Sequence, residues 1–364
     1  MNKTIIFFTI VYLFGITLAG YSIALERHLL LFAPLSEGNQ TVILEVLPNG
    51  EIRDTYQRLT TGYGSGQAGV SPDQQNILIP AANTTMQYRI SPTGMVSRLT
   101  TYEHLGRNGY SVNYHPNGKM VIFTTNSIYS VRNDGLLEWI NPAPTCDPRW
   151  INPCRNMLVE NGPIKTINVD SIDTIAMTIN TTQNINIKGD FEDAAFTPDG
   201  NQVLICKTPT TGETPSDIDI FSILPNDTLD TVAQHIDIPG QDGASSIAIS
   251  PDGQYAYVVL WNNTIVTLSH DSTGGWFDTG IRLTLYLPWR IRRAPDYNLV
   301  LLDYQVTNSG YYLGTYFMQP DGTLTPSGYT FPFQEKIGDV FVDLVFAYPP
   351  GVTEVESDHW QLYN

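Results

Sequence analysis

The sequence predicts an all-β chain closed into one seven-bladed β-propeller, with ring closure shared between its N- and C-terminal strands. Three observations lead there. A proline-containing turn returns seven times at near-constant spacing, short apolar strands flank it, and each end of the chain carries only part of one repeat.

The turn copies are Val70 to Asp73 (VSPD), Tyr114 to Gly118 (YHPNG), Ile151 to Cys154 (INPC), Phe196 to Gly200 (FTPDG), Ile249 to Gly253 (ISPDG), Arg293 to Asp296 (RAPD) and Tyr348 to Gly351 (YPPG). Their prolines, at 72, 116, 153, 198, 251, 295 and 349, lie 44, 37, 45, 53, 44 and 54 residues apart, close to the period of a four-stranded propeller blade. Proline presets one backbone angle, and the following Asp, Asn or Gly accepts the conformations a tight turn demands. The strands after the turns read Asn76 to Pro80, Met120 to Thr124, Gln202 to Cys206, Tyr255 to Leu260 and Asn298 to Leu302. A second turn joins third strand to fourth, as in Leu47 to Ile52, Ser91 to Val96, Arg132 to Leu137, Leu224 to Leu229 and Gln319 to Leu324.

The ends complete one another. His28 to Leu35 reads as a second strand with no first strand before it, and Thr41 to Ile52 supplies the third and fourth. The missing first strand is Asp343 to Tyr348. Pairing the two ends in one blade removes open sheet edges that would invite aggregation.

Ile247 to Leu268 (IAISPDGQYAYVVLWNNTIVTL) resembles the repeat of YVTN and lactonase-like propellers, a WD40-like architecture, and weaker copies cover nearly the whole mature chain. The resemblance implies the fold. Propellers of this kind include lactone hydrolases, surface-layer proteins and redox-enzyme subunits, so fold alone does not select a function. Where lactonase-like chains carry an Asn-Arg-Gly-like turn after this strand, this one has Trp261, Asn262 and Asn263.

The N-terminus reads as a secretory signal. Lys3 precedes the uncharged apolar run Ile5 to Leu18, and Ser22, Ile23 and Ala24 form a small-residue cut site. Residues 1–24 are then a signal peptide, and 25–364 one propeller domain that is secreted or periplasmic and monomeric. No later segment offers a membrane span. With 19 basic and 36 acidic residues and a formal charge of −17, the chain is a poor partner for nucleic acid, which needs a basic face.

HExxH, GxSxG, phosphate-loop and EF-hand patterns are absent, and the six histidines are scattered singly. Ser269 to Trp276 (SHDSTGGW) partly resembles the Asp-box turn of sialidase-like propellers, a structural turn even where complete. Sequons occur at Asn39, Asn83, Asn180, Asn226 and Asn262. Cys146 and Cys154, around Pro148 and Pro153, are expected to form a disulfide in an exported chain, with Cys206 left in an apolar strand.

Loops leading into each first strand should rim the mouth of the central channel. They are Gly62 to Gly69, Glu103 to Gly109, Thr145 to Arg149, Lys188 to Asp193, Gly240 to Ser246, Pro288 to Arg292 and Lys336 to Asp343. Glu192, Asp193, Asp242, Asp339 and Asp343 could form an oxygen-rich site suited to calcium. Arg290, Arg292 and Arg293 with Trp289 could hold an anionic or planar ligand. Opposed charges could instead pair across the mouth and do no chemistry. The expected function is non-catalytic binding of a small molecule or protein partner at the channel mouth, with Asp193, Asp343, Arg290, Arg292 and Trp289 as ligand contacts. The alternative is a lactonase-like or metal-dependent hydrolase using the acidic rim residues.

Overall fold

The computed structural model describes residues 29–34, 40–61, 67–81, 84–103, 111–123, 127–142, 150–162, 165–208, 218–238, 243–295, 298–306, 310–333 and 344–349. Their regular structure is all β, in seven antiparallel four-stranded sheets that form the blades of a propeller. Among the described residues no helix is long and apolar enough to cross a membrane.

Blade 1 closes the ring. Its sheet runs Val345–Ala347, Leu29–Pro34, Gln40–Val46, Ile52–Thr60 from the channel outward, with Leu30 opposite Ala347 and Phe32 opposite Val345. The Leu47 to Gly50 turn, closed by Gly50 at φ 84°, ends the third strand early, so the fourth begins at Ile52 instead of lying between Thr41 and Ile52. Blades 2 to 7 follow in chain order. Their second strands include Asn76–Pro80 and Tyr255–Leu260, as the apolar runs predict. Neighbouring blades cover both faces of these strands, so they read as continuous apolar runs without alternation; Ile77, Leu78, Ile79, Val203, Leu204 and Ile205 have no exposed surface.

Three of the proline turns share one hydrogen-bond device. In blade 2 the Ser71 hydroxyl donates to Asp73 Oδ1 at 2.6 Å and accepts the Asn76 N–H at 2.9 Å. Thr197 with Asp199 and Ser250 with Asp252 repeat the hydroxyl–carboxylate pair at 2.6 Å. The Asp-box-like segment is the third-to-fourth turn of blade 6, where Asp271 Oδ1 accepts from the backbone of Thr273 and Gly275. These turns lie at one end of the propeller. The connections between blades, and from second to third strands, lie at the other, where the channel mouth is sought.

Apolar layers between blades supply the core, and glutamines stitch its outside. Gln57 of blade 1 bonds the backbone of Gly94 and Val96 in blade 2; Gln183 of blade 4 bonds both N–H and C=O of Leu229 in blade 5 at 2.8 and 2.9 Å. Gln234 of blade 5 does the same for Trp276 in blade 6.

Candidate functional site at the channel mouth

The first strand of each blade walls the channel. In blades 5, 6 and 7 these strands are Asp190–Phe196, Ala244–Ile249 and Pro288–Arg293. Glu192, Asp193, Trp289, Arg290 and Arg292 therefore stand on strands, not in the loops the sequence suggested. Each of the three strands shifts register at the same place, between Phe191 and Asp193, Ala244 and Ser246, and Pro288 and Arg290. The extra residues are Glu192, Ser245 and Trp289. A bulge bends a strand and re-aims the next side chain, and here it sets Asp193, Ser246 and Arg290 at equivalent positions in successive blades.

Asp193 is the hub. Its Oδ1 accepts from Trp150 Nε1 of blade 4 at 3.1 Å and from the Ala194 N–H at 3.0 Å. Its Oδ2 accepts from Ser246 Oγ of blade 6 at 2.9 Å, the Ile247 N–H at 3.3 Å and Arg292 Nη1 of blade 7 at 2.9 Å. Four blades thus meet on one carboxylate, which is 1% exposed. Burial is the largest influence on its pKa and pushes it up. The charges of Arg292 and Arg290, with hydrogen bonds from Arg292 and Ser246, outweigh that and leave it below the ordinary value. The Trp150 ring is fixed on its other side by an edge contact with Phe191, centroids 4.5 Å apart.

Arg290 lies directly opposite Asp303 in the neighbouring second strand. Sister blades carry Cys206 and Val259 at that place, both fully buried. Asp303 is also fully buried, and neither of its oxygens, nor Arg290 Nε, has a hydrogen-bond partner among the described residues. Burial raises the Asp303 carboxyl to about 7, against a smaller opposing effect of Arg290. Sequence reasoning missed Asp303, Trp150 and Ser246. The available signal was an Asp inside the apolar run Leu299 to Leu302 and Tyr304.

Trp289 projects at the rim and meets Trp261 edge to face, centroids 4.8 Å apart. Tyr286 and Leu287 are exposed beside it in sequence. Asn263 holds this connector through its own C=O to Leu285 N–H and its Oδ1 to Leu287 N–H, with Leu287 at φ 43°.

Glu192 and Asp193 do not converge. Glu192 accepts from Thr208 Oγ1 at 2.9 Å, while Asp193 is committed to the clamp. Among the described residues no three His, Cys, Asp or Glu side chains gather as a metal site. Asp242, Asp339 and Asp343 lie outside the described residues, as does Cys146. Cys154 is exposed, with its Sγ 3.7 Å from the Pro198 carbonyl oxygen, and Cys206 is fully buried.

Between the first strands, extending to the turn residues Gln74, Pro153, Pro198 and Pro295 at the end opposite the expected mouth, lies a cavity of about 240 Å³. Its charged described lining residues are Asp193, Arg292 and Arg293; the rest of the wall includes Val70, Ile151, Phe196, Ile249 and Phe346. Gly69, Ala195 and Ala248, each three residues before a turn proline, leave the room that Trp150 and Arg292 occupy at the same level of blades 4 and 7.

No family model and no curated protein matches the chain. Solved structures do. A putative 6-phosphogluconolactonase from Bacteroides fragilis superposes with a TM-score of 0.70 at 15% identity, over 90% of this chain and 99% of that one. A putative 6-phosphogluconolactonase from Bacteroides uniformis gives 0.70 at 15%, over 88% and 100%. The periplasmic gluconolactonase of Pseudomonas aeruginosa gives 0.67 at 16%, over 89% and 99%. With seven closed blades and these likenesses along nearly its whole length, the chain has the β-propeller fold of the lactonase-like proteins.

Proposed function

We propose that this protein is an exported binding propeller that holds a soluble molecule in its channel, without catalysing a reaction on it. One observation supports this above others. Asp193, the acidic group among the described lining residues, has both oxygens engaged by five donors and is held ionised, so it is a clamp and not a free base or metal ligand. The cavity offers shape and charge. Export is part of the reading, drawn from the Lys3 and Ile5 to Leu18 pattern, and the periplasmic Pseudomonas aeruginosa neighbour accords with it. Intact-mass analysis of secreted protein should give a chain starting near Leu25; retained Met1 would argue for an anchor instead. The Cys146–Cys154 disulfide belongs to the same reading, and non-reducing peptide maps of exported protein should show it.

A lactonase-like hydrolase is the second reading, favoured by the lactonase neighbours. A pH-stat assay against gluconolactone decides between them. Enzyme-dependent turnover would establish the hydrolase; binding without turnover supports the channel receptor.

A further inference from the structure

We propose that the channel cavity takes an uncharged, ring-sized molecule, apolar over most of its surface and carrying one hydrogen-bonding group. This rests on the channel-binding reading and names the ligand's chemistry.

Charge comes first. The charged described lining residues are Asp193, Arg292 and Arg293, and each is already engaged. Arg292 pairs with Asp193 at 2.9 Å, and donors take both Asp193 oxygens. Arg292 Nη1 also donates to Ser246 Oγ and to the Ile291 carbonyl, each at 3.0 Å. A charged ligand would have to break one of these contacts and shed its own water, and both steps cost free energy in a partly dehydrated wall. An uncharged ligand leaves the clamp intact.

Surface and size follow. Apolar residues of five blades line the cavity: Phe346 of blade 1, Val70 of blade 2, Ile151 of blade 4, Phe196 of blade 5 and Ile249 of blade 6. Covering such a wall with an apolar body removes both surfaces from water. The volume is about 240 Å³. An apolar protein cavity of roughly 150 Å³ takes benzene, so there is room here for one substituted ring.

Gln67 supplies the polar contact. It lines the cavity five residues before Pro72, as Asp193 stands five before Pro198, so the two share one level of the wall. Blades 2 and 5 are three places apart in a ring of seven, which sets Gln67 across the channel from Asp193. The Gln67 main-chain oxygen accepts the Val112 N–H at 3.2 Å, whereas its carboxamide makes no hydrogen bond among the described residues. A carboxamide both donates and accepts, so it suits a neutral hydroxyl or amide.

The test uses the full mature chain and four probes of similar size in titration calorimetry at neutral pH: p-cresol, toluene, 4-methylbenzoate and 4-methylbenzylammonium. p-Cresol is uncharged there and should bind about tenfold or more tighter than either ion. Gln67→Leu should weaken p-cresol about threefold to tenfold, the range of one neutral hydrogen bond, and leave toluene unchanged. Ala195→Leu and, independently, Ala248→Leu fill the cavity and should abolish binding of every probe; urea unfolding of each variant identifies any that has not folded. Either ion binding as tightly as p-cresol overturns the ligand class. A Gln67→Leu protein with full p-cresol affinity, or one that loses toluene equally, overturns the polar contact. If probe binding is still blocked by the cavity-filling variants, the channel reading survives either loss. No binding of p-cresol to the wild type overturns the proposal, and probe binding that folded filled variants retain overturns the channel reading as well.

Discussion

At the scale of single residues, Asp193 in the first strand of blade 5 and Asp303 in the second strand of blade 7 are both buried and behave oppositely. Asp193 has more donors than an ordinary surface carboxylate, and its stabilising charge is opposite Arg292. Asp193→Asn should therefore destabilise the fold, because it breaks a contact shared by four blades. It leaves the half-buried Arg292 without its counter-charge and should cost about 2 kcal/mol, read from the urea midpoint at constant m-value. Asp303 stands where blades 5 and 6 have Cys206 and Val259. Its folded pKa, about 7, lies above the ordinary 3.8, so the folded state keeps a proton that the unfolded state has lost. Stability should then fall as pH rises from about 4 to about 7 and level off above, by on the order of a few kcal/mol. Asp303→Val should flatten that limb and raise the melting temperature most at pH 8. An unchanged pH profile in the variant would mean that Asp303 finds a partner in solution.

At the scale of elements, the outer strands contain a repeat that periodicity alone did not expose. Asp54–Thr55–Tyr56–Gln57–Arg58 in blade 1 and Asp278–Thr279–Gly280–Ile281–Arg282 in blade 6 build the same bulge. In each, the carboxylate pairs with the Arg four residues on and accepts the N–H two residues on, and the Thr hydroxyl donates to the third strand. The middle residue is left-handed, at φ 77° for Gly280 and φ 59° for Tyr56. A tyrosine is strained there and, being largely exposed, gains little packing in return. Tyr56→Gly should raise stability by up to about 1 kcal/mol, the left-handed penalty less glycine's extra chain entropy. Bulges of this kind also twist each outer edge away from pairing with another chain. The glutamine clamps act between elements. Gln183→Ala strands both backbone groups of Leu229 at the outer boundary of blades 4 and 5 and should cost about 2 kcal/mol by chemical denaturation.

At the scale of the whole molecule, closure is the decisive feature. The strand Val345–Ala347 supplies blade 1 with its innermost member and covers Leu30, Leu31 and Phe32. Deleting Leu344 to Asn364 should leave Leu29–Pro34 as an apolar edge beside the channel. The truncated protein should aggregate on heating and lose its single cooperative transition. A truncated chain that melts like the intact one would show that the ring does not depend on this strand.

Much of this was legible in the sequence for a physical reason. A blade's second strand is buried on both faces, so runs such as Ile77 to Ile79 and Tyr255 to Leu260 must be apolar, and the turn between blade strands one and two must carry Pro with Asp, Asn or Gly. Those local demands fixed the number of blades and the shared closure. The site was legible only as composition: of the expected ligand contacts Asp193 and Arg292 line the cavity, whereas Trp289 and Arg290 are not among its described lining residues. Bulges at three equivalent places decided which way each side chain faces, and strand pairing set Arg290 opposite Asp303, thirteen residues away in sequence. Ring curvature brought Trp150, Asp193, Ser246 and Arg292 from four blades onto one carboxylate. A sequence specifies which residues are polar, but convergence across blades exists only once the ring has closed, because it depends on distances between strands that are far apart along the chain.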